Sequence, residues 1–231
     1  MIAAVLAVLL APVVVWMLVF RQIPGPPMPT LAVPSPAAKV SAADALQKGK
    51  KAYEQKDYAE AMRWYRKAAD EDNADAQNKI GALYANGWGM ALDYAEAMRW
   101  FRKAADQGYA NAQFNIGQLY NKGWGVAQDH AEAMRWYQKA ADQGYADAQT
   151  NIGWLYENGL GVAQDYAEAM RWFRKAADQG NAAAQNNIGF LYDKGWGVAQ
   201  DYAEAMRWYQ KAADQGNATA QENIRKLMIF R

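Results

Sequence analysis

The segment DYAEAMRWY starts at Asp57 and returns, nearly letter for letter, at Asp93, Asp129, Asp165 and Asp201, always 36 residues on. A unit this short cannot enclose a core of its own. It must bury its apolar face against its neighbours, so a chain of such copies stacks into an open-ended solenoid.

One copy, ANAQFNIGQLYNKGWGVAQDHAEAMRWYQKAADQGY from Ala110, shows what is stacked. Ala112, Ile116, Leu119 and Tyr120 fall at helical spacing. Gly123 stops that helix, and the Gly-Trp-Gly turn reverses the chain. Asp129 then reads as an N-cap, with Glu132 placed to reach back in a capping box. Ala133, Trp136, Tyr137 and Ala140 give the second helix its apolar face, and Gly144 ends it. Gly117 and Ala133 are small enough to let the helix axes come close. Each unit is therefore a pair of antiparallel helices. The Trp64, Trp100, Trp136, Trp172 and Trp208 column reads as core.

The chain also supplies an internal comparison. The second helix hardly changes between copies, and His130, in a tyrosine column, reads as drift. In the first helix the changing columns run through Asn78, Phe114, Thr150, Asn186 and Glu222, then through Ala82, Gln118, Trp154, Phe190 and Lys226. A further column holds Ala85, Asn121, Glu157, Asp193 and Ile229. Steps of three and four place them in one stripe along the helix. Large apolar residues in a polar stripe resemble interface anchors. The candidate partner-binding residues are therefore Phe114, Gln118, Trp154, Glu157, Phe190 and Asp193. Trp88, Trp124 and Trp196 in the turns, replaced by Leu160 in one unit, read as packing.

The stretch LYNKGWGVAQDHAEAMRWYQKAADQG resembles the Sel-one-like repeat, a relative of the tetratricopeptide repeat with an added Gly-x-Gly turn. The turns GWGM, GWGV, GLGV and GWGV carry the likeness, which spans roughly residues 43–224. The first unit lacks the glycine turn, and the last, AQENIRKLMIFR, replaces it with a basic and apolar end; both departures suit terminal caps. The resemblance implies an all-α, right-handed α-α superhelical solenoid of about five helix pairs plus a C-terminal capping helix. Its units run over 43–72, 73–108, 109–144, 145–180 and 181–216, with the cap at 217–231. It also implies an interaction scaffold that takes a protein or peptide on its concave face, lined by the first helices. The alternative within the family is an exported ligand-binding protein or hydrolase related to the cysteine-rich, β-lactam-binding branch. The absence of cysteine argues against it.

Composition narrows the partners. Twenty-five basic and twenty-four acidic side chains nearly cancel, so no field steers the chain to nucleic acid. A single-stranded RNA surface would interleave basic residues with the aromatics, and the stripe does not. With one histidine and no cysteine, no metal site, cofactor site or catalytic trio emerges, and no enzyme or small-molecule substrate is expected. The apolar run MIAAVLAVLLAPVVVWMLVF (residues 1–20) carries no charge and reads as one N-terminal transmembrane helix, a single-pass anchor. It lacks the basic start and small-residue cleavage site of a secretory signal. Arg21 is too slight a bias to set the membrane side. Residues 21–42, which include the proline-rich run IPGPPMPTLAVPSP, read as an extended linker.

Overall fold

The computed structural model describes residues 40–230. The expected anchor over 1–20 and nearly all of the linker over 21–42 lie outside the described residues. Among those described, no helix is long and apolar enough to cross a membrane. There are eleven helices and no strand among them. The first helices of successive units are α1 (Ala42–Glu54), α3 (Ala74–Asn86), α5 (Ala110–Lys122), α7 (Ala146–Asn158) and α9 (Ala182–Lys194). Their partners are α2 (Tyr58–Ala69), α4 (Tyr94–Asp106), α6 (His130–Ala141), α8 (Tyr166–Asp178) and α10 (Tyr202–Asp214). The last helix, α11 (Ala218–Phe230), stands at the end. Every helix packs on the one before and the one after it, which is the order of a helical solenoid.

Each second helix opens on its aspartate. Asp129 Oδ1 accepts the Glu132 amide at 2.9 Å, and the other four copies do the same within 2.9–3.0 Å. The reciprocal half of the expected capping box is not made. The Asp129 amide instead donates to the Tyr120 carbonyl of the preceding helix at 3.0 Å. The Glu132 carboxylate is thereby released to accept from Arg135 at 2.8 Å and from Trp136 Nε1 at 2.9 Å. At the far end of the turn, Gly123 and Gly125 have φ of 69° and 68°, a region that a side chain strains.

The expected tryptophan core is corrected by one residue. Trp64, Trp100, Trp136, Trp172 and Trp208 are only half-buried. Lys67, Lys103, Lys139, Lys175 and Lys211 lay their ammonium groups over these rings at 4.0–4.2 Å. The buried ring is the next residue, Tyr65, Phe101, Tyr137, Phe173 or Tyr209, none more than 2% exposed. Consecutive helix positions differ by about 100°, so only one of two adjacent aromatics can point at the partner axis. That ring lies directly against a glycine of the partner helix. A Cβ added at Gly49, Gly81, Gly117, Gly153 or Gly189 would stand 2.5–2.7 Å from a ring carbon. The aromatic ring and the glycine form one interlocking part, repeated five times.

One device locks the two helices of a unit together, and another joins successive units. Gln107 donates to Gln77, Gln143 to Gln113, Gln179 to Gln149 and Gln215 to Gln185, each at 2.8 Å. The four acceptors are buried, so each amide pair satisfies a polar group that would otherwise be stranded. The second device is a ring stack. The turn tryptophan of one unit lies on the ring that opens the second helix of the unit before. Tyr58 with Trp88, Tyr94 with Trp124 and Tyr166 with Trp196 have centroids 5.6, 5.3 and 4.9 Å apart. His130 and Leu160 occupy these two positions at the remaining joint, where Gly161 abuts the His130 backbone. The two departures from the repeat, unrelated in the sequence, belong to one joint. His130 Nδ1 there pairs with Asn121 Oδ1 at 2.9 Å.

Candidate functional site

The first helices carry the variable stripe, and the structure divides it. Asn78, Asn121, Thr150 and Asn186 are buried. Phe114 on α5 is turned into a joint as well. Its ring meets those of Tyr137 and Tyr145, with centroids 5.7 and 5.1 Å away. It is half-buried against the core and does not stand with the other aromatics of the stripe.

The next column is open. Trp154 on α7 is 37% exposed, and it shares a cleft of about 510 Å³ with Glu157 of α7 and Phe190 of α9. Trp196 closes one side, its edge against the Phe190 ring with centroids 5.5 Å apart. Asn186 and Asn187 of α9 and Asn223 of α11 line the same cleft. Asn223 Nδ2 donates to Asn186 Oδ1 at 3.0 Å, and Asn186 Nδ2 to Asn187 Oδ1 at 3.3 Å. These bonds form a short amide chain between two helices. Three of the expected residues, Trp154, Glu157 and Phe190, are thus brought together.

The other expected residues stand apart. Asp193 lines an adjoining cleft of about 310 Å³ between α9 and α11, which Phe190 also borders. Its Oδ2 meets Lys194 Nζ at 2.9 Å. Gln118 on α5 lines a smaller cleft of about 220 Å³ with Ala82, Ala85 and Trp124.

Glu157 is the one carboxylate lining the larger cleft, which holds no lysine, arginine or histidine. Burial pushes its carboxyl up to about 7. The backbone carbonyl of Glu157 accepts from Gln164 Nε2 at 2.8 Å, and Gln164 also donates to the Tyr166 hydroxyl at 2.9 Å. The cleft therefore offers flat apolar rings, primary amides and one partly desolvated carboxyl. Those are groups for recognition. Among the described residues, no set of three or more His, Asp or Glu side chains is placed to hold a metal ion.

The sequence led to Trp196 being read as packing and left Asn187 and Asn223 unmarked, while Asn186 stood in the varying stripe without being chosen. Asn115, Asn151, Asn187 and Asn223 recur as the first letter of the Asn-Ile motif in four units. That column was the available signal, but a recurring letter is equally consistent with packing. Trp196 does pack, with one ring face on Tyr166, but it is still 37% exposed.

A family model described as the Sel1 repeat matches residues 37–73, 74–109, 110–145, 146–181 and 182–217. No curated protein matches the chain. Among solved structures, a Sel1 repeat protein from Oxalobacter formigenes is 39% identical, with a TM-score of 0.68 over 78% of this chain and 74% of that one. c5321, a protective antigen present in uropathogenic Escherichia coli strains, is 35% identical, with a TM-score of 0.71 over 79% of this chain. The match spans only 40% of the c5321 chain. The immunity protein Pa5087 of Pseudomonas aeruginosa, 22% identical with a TM-score of 0.55 over 80% of this chain and 74% of that one, shares the fold.

Proposed function

The chain belongs to the Sel1 repeat family, and on that premise we propose that it is a membrane-tethered scaffold that holds an extended protein segment along its first-helix face. In this reading the pairs wind into a right-handed superhelix with the first helices on the inner, concave surface. The apolar run over residues 1–20 is the tether, and the proline-rich linker holds the solenoid off the bilayer. The observation that carries the reading is the cleft between α7, α9 and α11. It gathers Trp154, Phe190 and Trp196 from three sequence positions beside a chain of asparagine amides. Rings supply contact area at low entropic cost, and primary amides can pair with both groups of a peptide bond.

The test uses the full chain in detergent micelles as bait against a lysate of its source cells, alongside Trp154→Ala and Phe190→Ala variants. A partner recovered in proportion by the wild type should be lost from both variants while their melting curves match. Equal recovery by all three refutes the cleft as the binding surface. For the tether, the chain should stay in the membrane pellet through carbonate extraction. A soluble mature protein starting after residue 30 would refute it.

A further inference from the structure

We infer that the cleft between α7, α9 and α11 receives a lysine or arginine side chain of the bound segment, with Glu157 as its counter-charge. This rests on the peptide-binding reading above and specifies the partner's chemistry.

The molecule itself supplies the comparison. On every second helix a tryptophan stands between a glutamate four residues before it and a lysine three residues after it. The Trp136 ring is covered by Lys139 at 4.0 Å, with its Nε1 on Glu132 at 2.9 Å; Trp64, Trp100 and Trp208 repeat the set. The rule of this chain is an indole, a carboxylate and a covering ammonium. Trp154 and Glu157 bring indole and carboxylate together on α7, three residues apart, in a cleft whose lining has no cation.

The column that holds Glu157 makes the same point. Its neighbour one unit back, Asn121, meets His130 Nδ1 at 2.9 Å. Its neighbour one unit on, Asp193, pairs with Lys194 at 2.9 Å. At the Lys194 position the Glu157 unit has Asn158 instead. The carboxyl is half-buried with no ion pair among the described residues, and burial raises its pKa to about 7. A desolvated carboxyl in that state is stabilised by any cation that enters. None of the other side chains lining the cleft is a carboxylate, imidazole, ammonium or guanidinium.

Shape and length agree with a peptide side chain. The aliphatic stem of lysine or arginine covers aromatic surface while its head stays polar, and Trp154, Phe190 and Trp196 offer that surface. The amide chain of Asn187, Asn186 and Asn223 lies in the same cleft, where the segment's main chain would run.

The test is a random dodecapeptide display library selected on the full chain in detergent micelles. Enriched peptides are resynthesised with each lysine or arginine replaced by norleucine, and affinities are read by fluorescence anisotropy. The expected result is enrichment of basic residues, with one norleucine replacement weakening binding about tenfold or more. Glu157→Gln should cost about the same factor and make the protein indifferent to that replacement. Selected peptides without basic residues, or norleucine peptides that bind within about twofold of their parents, overturn the inference. If such peptides still lose binding to Trp154→Ala, the groove stands and only the cation is wrong. If binding survives Trp154→Ala and Phe190→Ala with unchanged melting, or if no peptide is enriched, the groove fails and the inference fails with it.

Discussion

Gly153→Ala sets two opposed effects against each other. Alanine in the middle of a helix is ordinarily better than glycine by about 0.5–1 kcal/mol, because the unfolded chain loses freedom. Here the new methyl would stand 2.6 Å from both Cδ1 and Cε1 of Phe173, and 3.1 Å from Cζ. Ordinary carbon contact is about 3.5–4.0 Å, so ring or helix must withdraw by about 1 Å. The ring has nowhere to go: Phe173 is 0% exposed and packed among Met170, Ile188 and Leu191, themselves buried. Overpacking of this kind costs about 1–3 kcal/mol, which leaves a net loss centred on about 1 kcal/mol. In a domain of this size that is roughly 2–4 °C of Tm per kcal/mol. The assay is urea unfolding followed by far-ultraviolet circular dichroism, with Phe173→Leu and the double variant measured beside it. Phe173→Leu alone should destabilise, but in the Gly153→Ala background it should cost at least about 0.5 kcal/mol less. A neutral or stabilising Gly153→Ala, or strict additivity of the two changes, would show that the glycine is not a seat for the ring.

Three further outcomes follow from the packing. Tyr137→Ala should cost about 3–5 kcal/mol and the adjacent Trp136→Ala only about 1–2 kcal/mol, since only the first empties the core; a reversed order in urea unfolding would put the core back on the tryptophan. The Glu157 carboxyl has a folded pKa near 7, raised above its ordinary value. The folded state therefore holds that proton more tightly, and stability falls as pH rises from about 4.5 through 7. Glu157→Gln should accordingly melt higher than the wild type at pH 8 and equally near pH 4, and a Tm difference that does not change with pH would contradict this. His130→Tyr combined with Leu160→Trp should restore the missing ring stack and stabilise by about 0.5–1.5 kcal/mol more than the sum of the single changes, as double-mutant thermal melts would register.

The helix pairs, their aspartate caps and glycine stops were all legible, because each rests on contacts within a few residues. So was the small size of Gly117, although not what it was small for: the ring of Tyr137 lies twenty residues on, across the turn. The choice between Trp136 and Tyr137 as core was misread because both fall within a broad apolar face. The signal was present in Glu132 and Lys139, which stand at the spacings that let charged side chains clamp an exposed indole. Phe114 looked like Trp154 in the sequence because the contact that separates them, with Tyr145, begins in the next unit. The cleft itself was half legible. Trp154, Glu157 and Phe190 stood out as large or charged departures in the varying stripe, whereas Trp196 was read as packing and Asn187 and Asn223 were hidden in a column that repeats asparagine.

The joints between units carry a consequence for the gene as well as for the protein. All but one are made from the same two rings, and the units they join are closed internally by the same glutamine pair, so a unit has no address. Recombination between near-identical copies can remove one whole period and leave a chain whose every seam still closes. Loss of residues 130–165, one interval of 36, would join Asp129 to Tyr166. His130 and Leu160 would go together, leaving Tyr94 on Trp124 and Tyr166 on Trp196. The shorter molecule would be more regular than its parent, but it would lack Trp154 and Glu157. The least regular stretch of this chain is thus also the one that distinguishes it from a plain spacer whose length is set by counting copies.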